Sequence, residues 1–499
     1  MSTTPSGVPS ARSLFKNVFR SSGLYSIPFL VQPLISFLMT PLVTRHLTTG
    51  DYGTLEMLQR AGDLLGLLLG GCFGSSIGYF YFESDQAEDR RRVVGTSVIG
   101  AASIGAVVTL VCWLLSGPIT RLVLGSAAKA FLLCVMLLNF LPAMALEAML
   151  GWARVSNRVG TMVAGALARS LVWAAMVAIL ATVFRLDIVG FLSSGVVSNA
   201  LPAVVLAVIC WRAVRPVFDP RLFVRMVKFY APVAAGGLAV YCINFGDRFF
   251  LRQHVSIGDI GLYGLAYKLG MMSILAYNAF NNYWSAQMFD LMKRDDADSL
   301  FARMLTYAAG AVLVPCLGLT VFARPVIRIM AHHSYWGAAV FVPAIAFAYG
   351  VRCLGDFFRS RFYVAGLPGY DAICNWVGAA LCLGGYFYWI PRFGVWGAVL
   401  ATVVAFAAIL AIAAIWTYRI RPYRVEAGRL VKMAVALAAV LAGFVALPGA
   451  SLAGQLGYGV LLVAGFPGLL WLLRFPTPAE REVVRAVIGR LTARALAAR

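Results

Sequence analysis

Apolar stretches of about 20 residues recur along the chain from Leu24 to Leu473, and short polar segments rich in Arg and Lys separate them. At a rise of 1.5 Å per residue, such a stretch crosses a hydrocarbon core of roughly 30 Å as an α-helix. A β-barrel strand would alternate in polarity over about 10 residues, and runs such as 93–115 show no alternation. The pattern therefore predicts an all-α polytopic membrane protein of about 14 transmembrane helices.

The polar segments predict how the chain is threaded through the membrane. We predict helices at 24–43, 59–82, 93–117, 129–150, 160–184, 188–211, 228–250, 262–289, 301–323, 338–358, 371–390, 394–417, 430–447 and 453–473. Lys and Arg concentrate in the loops on one side, together with both chain ends, so the positive-inside rule predicts that both termini are cytoplasmic. The first helix lacks the pattern of a cleaved signal peptide and should remain as an anchor.

The composition is that of a membrane protein, and it limits the classes of molecule that the protein is predicted to bind. The 499 residues are 61% hydrophobic, with a mean hydropathy of +0.81. The net charge is +21, and the basic residues lie in short loops between the apolar segments. This placement predicts contact with anionic membrane lipids and no binding of nucleic acid. The nine cysteines show no CxxC spacing, and His332 and His333 have no third ligand nearby, so we predict no disulfide framework, no metal and no cofactor.

An internal repeat indicates how the helices are organised. Gly50, Asp51 and Gly53 recur 208 residues later as Gly258, Asp259 and Gly261, and the segment 185–190 recurs 207 residues later at 392–397. An offset of six helices leaves both halves with the same orientation, related by an axis along the membrane normal. The predicted organisation is a cytoplasmic N-terminal segment at 1–22, a six-helix N-lobe at 23–215, a six-helix C-lobe at 216–420, helices 13 and 14 at 421–475, and a cytoplasmic amphipathic tail at 476–499.

Two motifs resemble those of a known family. Pro41-Leu-Val-Thr-Arg-His-Leu47 followed by Asp51-Tyr-Gly53 resembles the end of the first helix in polysaccharide flippases. In the second half, Asp247-Arg-Phe-Phe-Leu251 followed by Gly261-Leu-Tyr263 and Ala266-Tyr-Lys-Leu269 is similar to their seventh and eighth helices. The chain is identified as resembling the Wzx-type flippases of the MOP (multidrug, oligosaccharidyl-lipid, polysaccharide) superfamily.

This resemblance implies two pseudo-symmetric six-helix lobes around a V-shaped central cavity, lined chiefly by helices one, two, seven and eight. It also implies a substrate carried on undecaprenyl diphosphate. Flippases of the peptidoglycan precursor carry charged residues within the first helix, whereas 24–42 here has only Gln32, Ser36 and Thr40 as polar side chains of note. That departure disfavours a peptidoglycan substrate.

Two cations within apolar segments are the first candidates for substrate binding. A charge at the bilayer centre costs about 2.5–3.5 kcal/mol, so such residues line water or pair with one another. Arg60 and Lys268 are separated by the repeat offset of 208 residues, so they should face one another across the pseudo-twofold axis and compensate a diphosphate. The alternative interpretation is that Arg60 pairs with Asp63 and that Lys268 extends to the interface.

Asp247 and Arg248 are further candidates near one end of the seventh predicted helix. Neighbours on a helix point about 100° apart, so one can face the cavity while the other faces a helix or headgroups. Substrate contact and an interfacial anchor both remain open for Arg248.

The eighth predicted helix carries a polar stripe of Asn278, Asn281, Asn282 and Ser285 at helical spacing. This stripe could bind sugar hydroxyls, and its aromatic neighbours could stack on pyranose rings; amide side chains also hold helices together, so both interpretations remain open. The aromatic neighbours are Tyr277, Phe280, Tyr283 and Trp284.

Four other charges lie within predicted helices, namely Asp63, Glu147, Arg169 and Asp356. A carboxylate that changes protonation with access could couple transport to a proton gradient, which makes Asp63 and Glu147 candidates for ion coupling. Ion pairs between helices explain the same residues.

The predicted function is secondary transport: a lipid-linked oligosaccharide is flipped from the cytoplasmic to the periplasmic leaflet of the bacterial inner membrane by alternating access. No nucleotide-binding loop occurs, so the protein is predicted not to be an enzyme. A drug or cation antiporter of the same superfamily, a membrane-embedded polysaccharide polymerase and a scaffold that does not transport remain as alternatives. A polymerase is also a candidate partner.

Overall fold

The computed structural model describes residues 28, 31–184, 186–214, 217–446, 451–478 and 480–482. These residues are mostly helical and include no β-strand, so the all-α prediction is confirmed. The predicted N-terminal segment at 1–22 and residues 483–499 of the predicted tail lie outside the described residues.

In the described part of the chain, nineteen α-helices and two π-helical turns follow residues 31–38, which are also helical. In chain order they are α1 Thr40–His46, α2 Thr49–Leu65, the π-helical turn Gly66–Gly70, α3 Gly71–Tyr81, α4 Ala87–Leu114, α5 Ser116–Leu124, α6 Ala130–Leu138, α7 Phe140–Val155, α8 Val159–Ile179, the π-helical turn Leu180–Phe184, α9 Ile188–Val214, α10 Pro220–Phe245, α11 Asp247–His254, α12 Ile257–Gly270, α13 Ile274–Leu291, α14 Ala297–Met330, α15 Val342–Val364, α16 Gly369–Phe393, α17 Val395–Ile420, α18 Ala427–Ala446 and α19 Leu452–Leu472.

These helices make a multi-pass membrane protein. Within the described residues, 11 helical segments are long and apolar enough to cross a membrane. A twelfth is added if the 3-10 helix His333–Val340 and α15, which are bent by 44° at their junction, form one span. The predicted count of about 14 is consistent with this number, because the first predicted helix lies partly outside the described residues and the second, at 59–82, is not among the counted segments.

Several helices begin earlier than predicted, and for two of them a repeated capping motif explains the difference. Helix α2 begins at Thr49 instead of residue 59, because the Thr48 hydroxyl accepts the Asp51 N–H (3.1 Å) and the Asp51 carboxylate accepts the Thr48 N–H (3.3 Å). Helix α12 begins at Ile257 instead of residue 262, and the Ser256 hydroxyl accepts the Asp259 N–H (3.1 Å). The repeated Gly-Asp motif is therefore a repeated helix start.

The glycines of this repeat allow α2 and α12 to cross in close contact. A Cβ atom at Gly53 would overlap the Ile257 carbonyl oxygen and lie 3.1 Å from the Gly261 nitrogen. A Cβ atom at Gly261 would overlap the Thr49 carbonyl oxygen and lie 2.9 Å from the Gly53 nitrogen. The two halves of the sequence repeat thus pack on each other through equivalent glycines, which leave room for backbone against backbone.

This crossing can be tested by cysteine cross-linking. A Cβ atom at Gly258 would lie 3.7 Å from the Thr49 Cβ, within the range of a disulfide. The double variant Thr49→Cys, Gly258→Cys should therefore form a disulfide readily under mild oxidation. The cross-linked fraction is measured by comparing the mobility of the protein on gels run with and without reducing agent. Adding Gly53→Ala should lower the cross-linked fraction about fivefold or more, since overpacking of this kind costs roughly 1–3 kcal/mol. Unchanged cross-linking with Gly53→Ala would contradict the close crossing.

The protein divides into two compact units, and the first comprises the described residues of Met1–Gly264, Met330–Tyr335 and Ala379–Ala401. Its core includes Trp152 and Met226, both at most 1% exposed, which pack with other apolar side chains of α3, α4, α7, α8, α9 and α10. The Asp219 carboxylate caps α10 by accepting two N–H groups of its first turn. This packing fixes α10, which leads directly into Asp247 and Arg248.

The second unit comprises Leu265–Ile329, Trp336–Gly378 and the described residues of Thr402–Arg499. In it, α18 and α19 pack against α14 through a cluster that includes Leu317, Val440 and Phe466. Arg429 at the start of α18 donates to the Glu480 carboxylate at 2.9 Å, which fixes the first residues after α19. The predicted domain bounds, which follow the sequence repeat, stay predictions.

Candidate substrate-binding site

Five charged residues of the first unit form one network of ion pairs, which we call the ionic cluster: Glu56, Arg60, Asp63, Asp247 and Arg248. Glu56 is its centre, because one carboxylate oxygen accepts the Nε–H of Arg60 at 3.1 Å and the Nε–H of Arg248 at 3.3 Å. The cluster therefore joins α2 to the start of α11 through charge-assisted hydrogen bonds.

The Arg248 side of the cluster is closed to solvent. Arg248 is 0% exposed, and its Nη1 donates to the Asp247 carboxylate at 2.7 Å and to the Asn244 carbonyl at 2.9 Å. The other Asp247 oxygen accepts the Tyr263 hydroxyl at 2.6 Å. The Arg248 guanidinium also lies 4.9 Å from the centre of the Tyr263 ring, a cation–π contact.

The expectation that Asp247 and Arg248 face different surroundings, one of them the cavity, is wrong. Both are buried, Asp247 at 1% exposure, because the long Arg248 side chain bonds to its own neighbour at the first residues of α11. An interfacial anchor is equally incompatible with the burial of Arg248. Contact with a substrate would require this side of the cluster to open.

The Arg60 side of the cluster is accessible. Arg60 Nη1 donates to the Asp63 carboxylate at 2.7 Å, and the Asp63 side chain is 52% exposed whereas that of Arg60 is 18% exposed. The guanidinium lies 4.3 Å from the centre of the Phe245 ring, and the Tyr241 hydroxyl donates to the Arg60 carbonyl at 2.6 Å. Arg60 is thus held on one side by Glu56 and ends at an exposed partner on the other.

The charges of the cluster do not leave Arg60 as an isolated cation. Three carboxylates, Glu56, Asp63 and Asp247, stand against the two guanidinium groups of Arg60 and Arg248. Arg60 forms the predicted pair with Asp63 and also pairs with Glu56. An anionic ligand at Arg60 would compete with these carboxylates, and Asp63 is the partner that it displaces most easily because solvent screens this exposed pair.

Glu56 is the central residue that the sequence interpretation missed. It lies four residues before Arg60, a spacing that brings the two side chains together on a helix, but position 56 was assigned to a loop because the helix was predicted to start at 59. Gly264 stands 208 residues later, and a Cβ atom there would lie 3.0 Å from the Glu56 Cδ. The repeat therefore replaces Glu56 by a residue without a side chain, which leaves room for the carboxylate.

Lys268, the second predicted cation, lies in the last turn of α12 and is half-buried. It belongs to the second unit, whereas Arg60 belongs to the first. Binding of a diphosphate by these two residues together stays a prediction.

The predicted polar stripe lies on an accessible face of α13. Asn278, Asn282 and Ser285 are exposed and Asn281 is half-buried, and the Ser285 hydroxyl donates to the Asn281 carbonyl at 2.7 Å. The amide groups are therefore available to a ligand, and sugar binding by this stripe stays a prediction.

Two of the aromatic residues beside this stripe belong to the protein core. Tyr277 and Trp284 are 2% and 0% exposed, and the Trp284 indole donates to the Ser360 hydroxyl at 2.8 Å. Trp284 also packs at 5.1 Å from Phe357, measured between ring centres. Their predicted stacking on sugars is wrong, because these faces of α13 pack inward; the Tyr283 side chain is 53% exposed and remains available.

The other charges within helices form ion pairs. Glu147 accepts from Arg169 at 2.6 Å between α7 and α8. Asp356 pairs with Arg359 on the same helix, and Arg359 also pairs with Asp371 on α16 at 2.9 Å. The interpretation of these charges as ion pairs accounts for their positions, while a role of Glu147 in ion coupling stays a prediction.

Comparison with known proteins places this architecture in a family. The sequence profile of the polysaccharide biosynthesis protein family matches residues 18–283, more than half of the chain. The chain belongs to this family. No curated protein matches the sequence.

Solved structures with the same fold as this polysaccharide biosynthesis protein are transporters. A lipid II flippase, MurJ, in an inward closed conformation superposes with a TM-score of 0.73 at 12% identity and covers 90% of this chain and 98% of its own. An inward-facing multidrug resistance MATE transporter of the MOP superfamily gives a TM-score of 0.63 at 13% identity, covering 80% and 98%. A Vibrio cholerae MATE transporter variant gives 0.57 at 15% identity, covering 82% and 97%. Both the family and the fold agree with the predicted resemblance to Wzx-type flippases of the MOP superfamily.

Proposed function

We propose that this protein flips an oligosaccharide linked to undecaprenyl diphosphate from the cytoplasmic to the periplasmic leaflet of the bacterial inner membrane, for surface or exopolysaccharide assembly. In this proposal both termini are cytoplasmic and the protein is a secondary transporter, not an enzyme. The observation that carries it is the half-accessible ionic cluster, on a transporter fold, in a chain of the polysaccharide biosynthesis protein family.

The diphosphate would bind by replacing Asp63 at Arg60. A guanidinium group binds phosphate oxygens in the same bidentate geometry as carboxylate oxygens, so the exchange keeps the charge of Arg60 compensated throughout. Glu56 supports this exchange, since it holds the Nε side of the guanidinium at 3.1 Å and leaves the Nη groups to the incoming ligand. Lys268 would supply the second positive charge for a headgroup that brings about two negative charges.

The same exchange suggests how an ion gradient could drive transport. Release of Arg60 leaves the exposed Asp63 carboxylate without its cation, and that carboxylate can then take up a proton or a cation. Glu147 pairs with Arg169 at 2.6 Å, and no step of this scheme requires that pair to break. We therefore assign ion coupling to Asp63 in preference to Glu147.

The excess of one carboxylate in the ionic cluster favours a second candidate, a cation antiporter of the same superfamily. A cluster with three carboxylates and two guanidinium groups can hold a cationic drug at Asp63 without displacing any anion. The two functions differ in the sign of the charge that the substrate brings to Arg60.

Reconstitution into liposomes tests both candidates. We expect the purified protein to move a labelled undecaprenyl-diphosphate-linked oligosaccharide between leaflets, measured as label accessible to an external reagent, well above protein-free liposomes. The same vesicles should not accumulate a fluorescent cationic dye under a proton gradient. Dye transport without movement of the lipid would favour the antiporter and refute the flippase.

A further inference from the structure

A polar cavity with a volume of about 340 Å³ lies within the first unit, between the helix at 31–38 and helices α7, α8 and α9. Helices α8 and α9, which contribute to its wall, are both segments apolar enough to cross a membrane. No residue that lines it belongs to the ionic cluster. The polar and aromatic residues on its wall include Gln32, Ser36, Arg169, Trp173, Ser198 and Asn199.

Asn199, on the wall of this cavity, has a side-chain oxygen that receives no hydrogen bond from the described residues. Asn199 is 8% exposed, and its amide donates to the Asn139 side chain at 2.9 Å and to the Gly195 carbonyl at 3.0 Å. The Asn199 carbonyl oxygen is buried and has no hydrogen-bond donor among the described residues. Leaving such an acceptor unpaired costs free energy, which a ligand with hydroxyl donors would recover.

The described residues on the cavity wall carry no uncompensated charge. Arg169 donates to the Glu147 carboxylate at 2.6 Å and to the Gln32 side-chain oxygen at 3.4 Å. Its positive charge is thereby balanced, and further guanidinium N–H groups remain available as donors. A neutral ligand with several hydroxyl groups fits this environment better than an anion or a cation does.

An aromatic ring completes the set of groups that sugars require. Trp173 lies half-buried on the cavity wall, packed edge-on against Phe191 at 5.9 Å between ring centres. A broad apolar face beside amide, hydroxyl and guanidinium groups matches a sugar ring, which has apolar C–H faces and a polar rim. The volume of about 340 Å³ is at the lower end of ligand pockets and suits one or two rings.

We propose that this cavity is a saccharide subsite, which binds one or two sugar rings of the lipid-linked oligosaccharide while the ionic cluster binds the diphosphate. The inference rests on the proposed flippase function and adds to it a site that recognises the neutral part of the substrate. Gly195 keeps the cavity open, since a Cβ atom there would meet only the Asn139 side chain, at 3.7 Å and 3.9 Å. A larger side chain at this position would project into the cavity without displacing backbone.

Binding measurements in lipid nanodiscs test the subsite, because nanodiscs avoid detergents with sugar headgroups. The probes are undecaprenyl diphosphate alone and the same lipid carrying the oligosaccharide. The wild type should bind the second about tenfold more tightly, the order expected from a few hydrogen bonds. Trp173→Leu and Gly195→Leu should each remove this preference and leave the affinity for undecaprenyl diphosphate within about twofold. Trp211→Leu is the matched control, because Trp211 is 60% exposed on α9, away from the cavity wall.

The outcomes separate the two proposals. If the wild type binds neither lipid, the flippase proposal itself fails. If it binds both lipids equally, or if Trp173→Leu and Gly195→Leu both keep the preference, the saccharide subsite is refuted and diphosphate binding stands. Loss of the preference in Trp211→Leu as well would also refute it, since the effect would then not depend on the cavity.

Discussion

Replacing Arg248 by Met should destabilise the protein by about 3–5 kcal/mol, the typical effect of removing one partner from a buried ion pair. Asp247 is 1% exposed and would keep only the Tyr263 hydroxyl and backbone contacts, so its negative charge would be buried without a cation. Glu56 would retain Arg60 alone. We expect the thermal-unfolding midpoint of the purified protein to fall by roughly 5 °C or more.

An exposed ion pair of the same unit provides the control for this experiment. Arg225 pairs with Glu83 at 2.8 Å, but the two side chains are 58% and 43% exposed. Arg225→Met should therefore cost at most about 1 kcal/mol. Adding Asp247→Asn to Arg248→Met should recover part of the loss, because the buried charge is then removed. Equal destabilisation by Arg225→Met and Arg248→Met would contradict a special role for the buried cluster.

The helices of this fold could be predicted from the sequence, but the starts of two decisive helices could not. Apolar runs of about 20 residues have few alternatives in a membrane, so the positions of the spans followed from the pattern. The first turns of α2 and α12 both contain aspartate and glycine, residues that are typical of loops. Only the capping pairs Thr48 with Asp51 and Ser256 with Asp259 identify them as helix, and their glycines serve a close crossing that periodicity does not encode.

Most charged residues of the candidate site could be predicted from the sequence, because a charge within the membrane is costly and therefore marks a functional or paired residue. Arg60, Asp63, Asp247 and Arg248 were all recognised for that reason, and the structure joins them in one cluster. Glu56 was missed because an error in one helix start moved it into a loop.

The sequence could not predict which aromatic side chains of α13 pack into the core, and the reason is different. Tyr277, Trp284 and Tyr283 lie within eight positions of one helix, and all three are large and amphipathic. Which of them packs inward depends on partners far along the chain, such as Ser360 and Phe357 for Trp284. Periodicity gives the faces of a helix but not which face meets the core.

Arg60→Gln should reduce transport of the lipid-linked oligosaccharide by roughly 10- to 150-fold, which corresponds to the 1.5–3 kcal/mol of a hydrogen bond to a charged group. The fold should survive, because Glu56 keeps its bond to Arg248 at 3.3 Å and the exposed Asp63 is solvated by water. Arg60→Lys should retain partial activity, since the charge remains but the bidentate geometry is lost. Initial rates of flipping in liposomes, normalised to the amount of folded protein, measure the effect, and Lys268→Gln should reduce the rate in the same direction.

Asp63→Asn distinguishes substrate binding from a structural role of Arg60. If Arg60 served only to pair with Asp63, loss of either partner would have the same consequence, and exchanging the two residues would restore function. In the proposed mechanism the diphosphate competes with Asp63 for the guanidinium group. Asp63→Asn should therefore bind undecaprenyl diphosphate more tightly than the wild type, by about tenfold or less for an exposed pair, whereas Arg60→Gln should bind it more weakly. Weaker binding in both variants would exclude Arg60 as the diphosphate ligand, because removing a competing carboxylate cannot weaken a site that the carboxylate occupies.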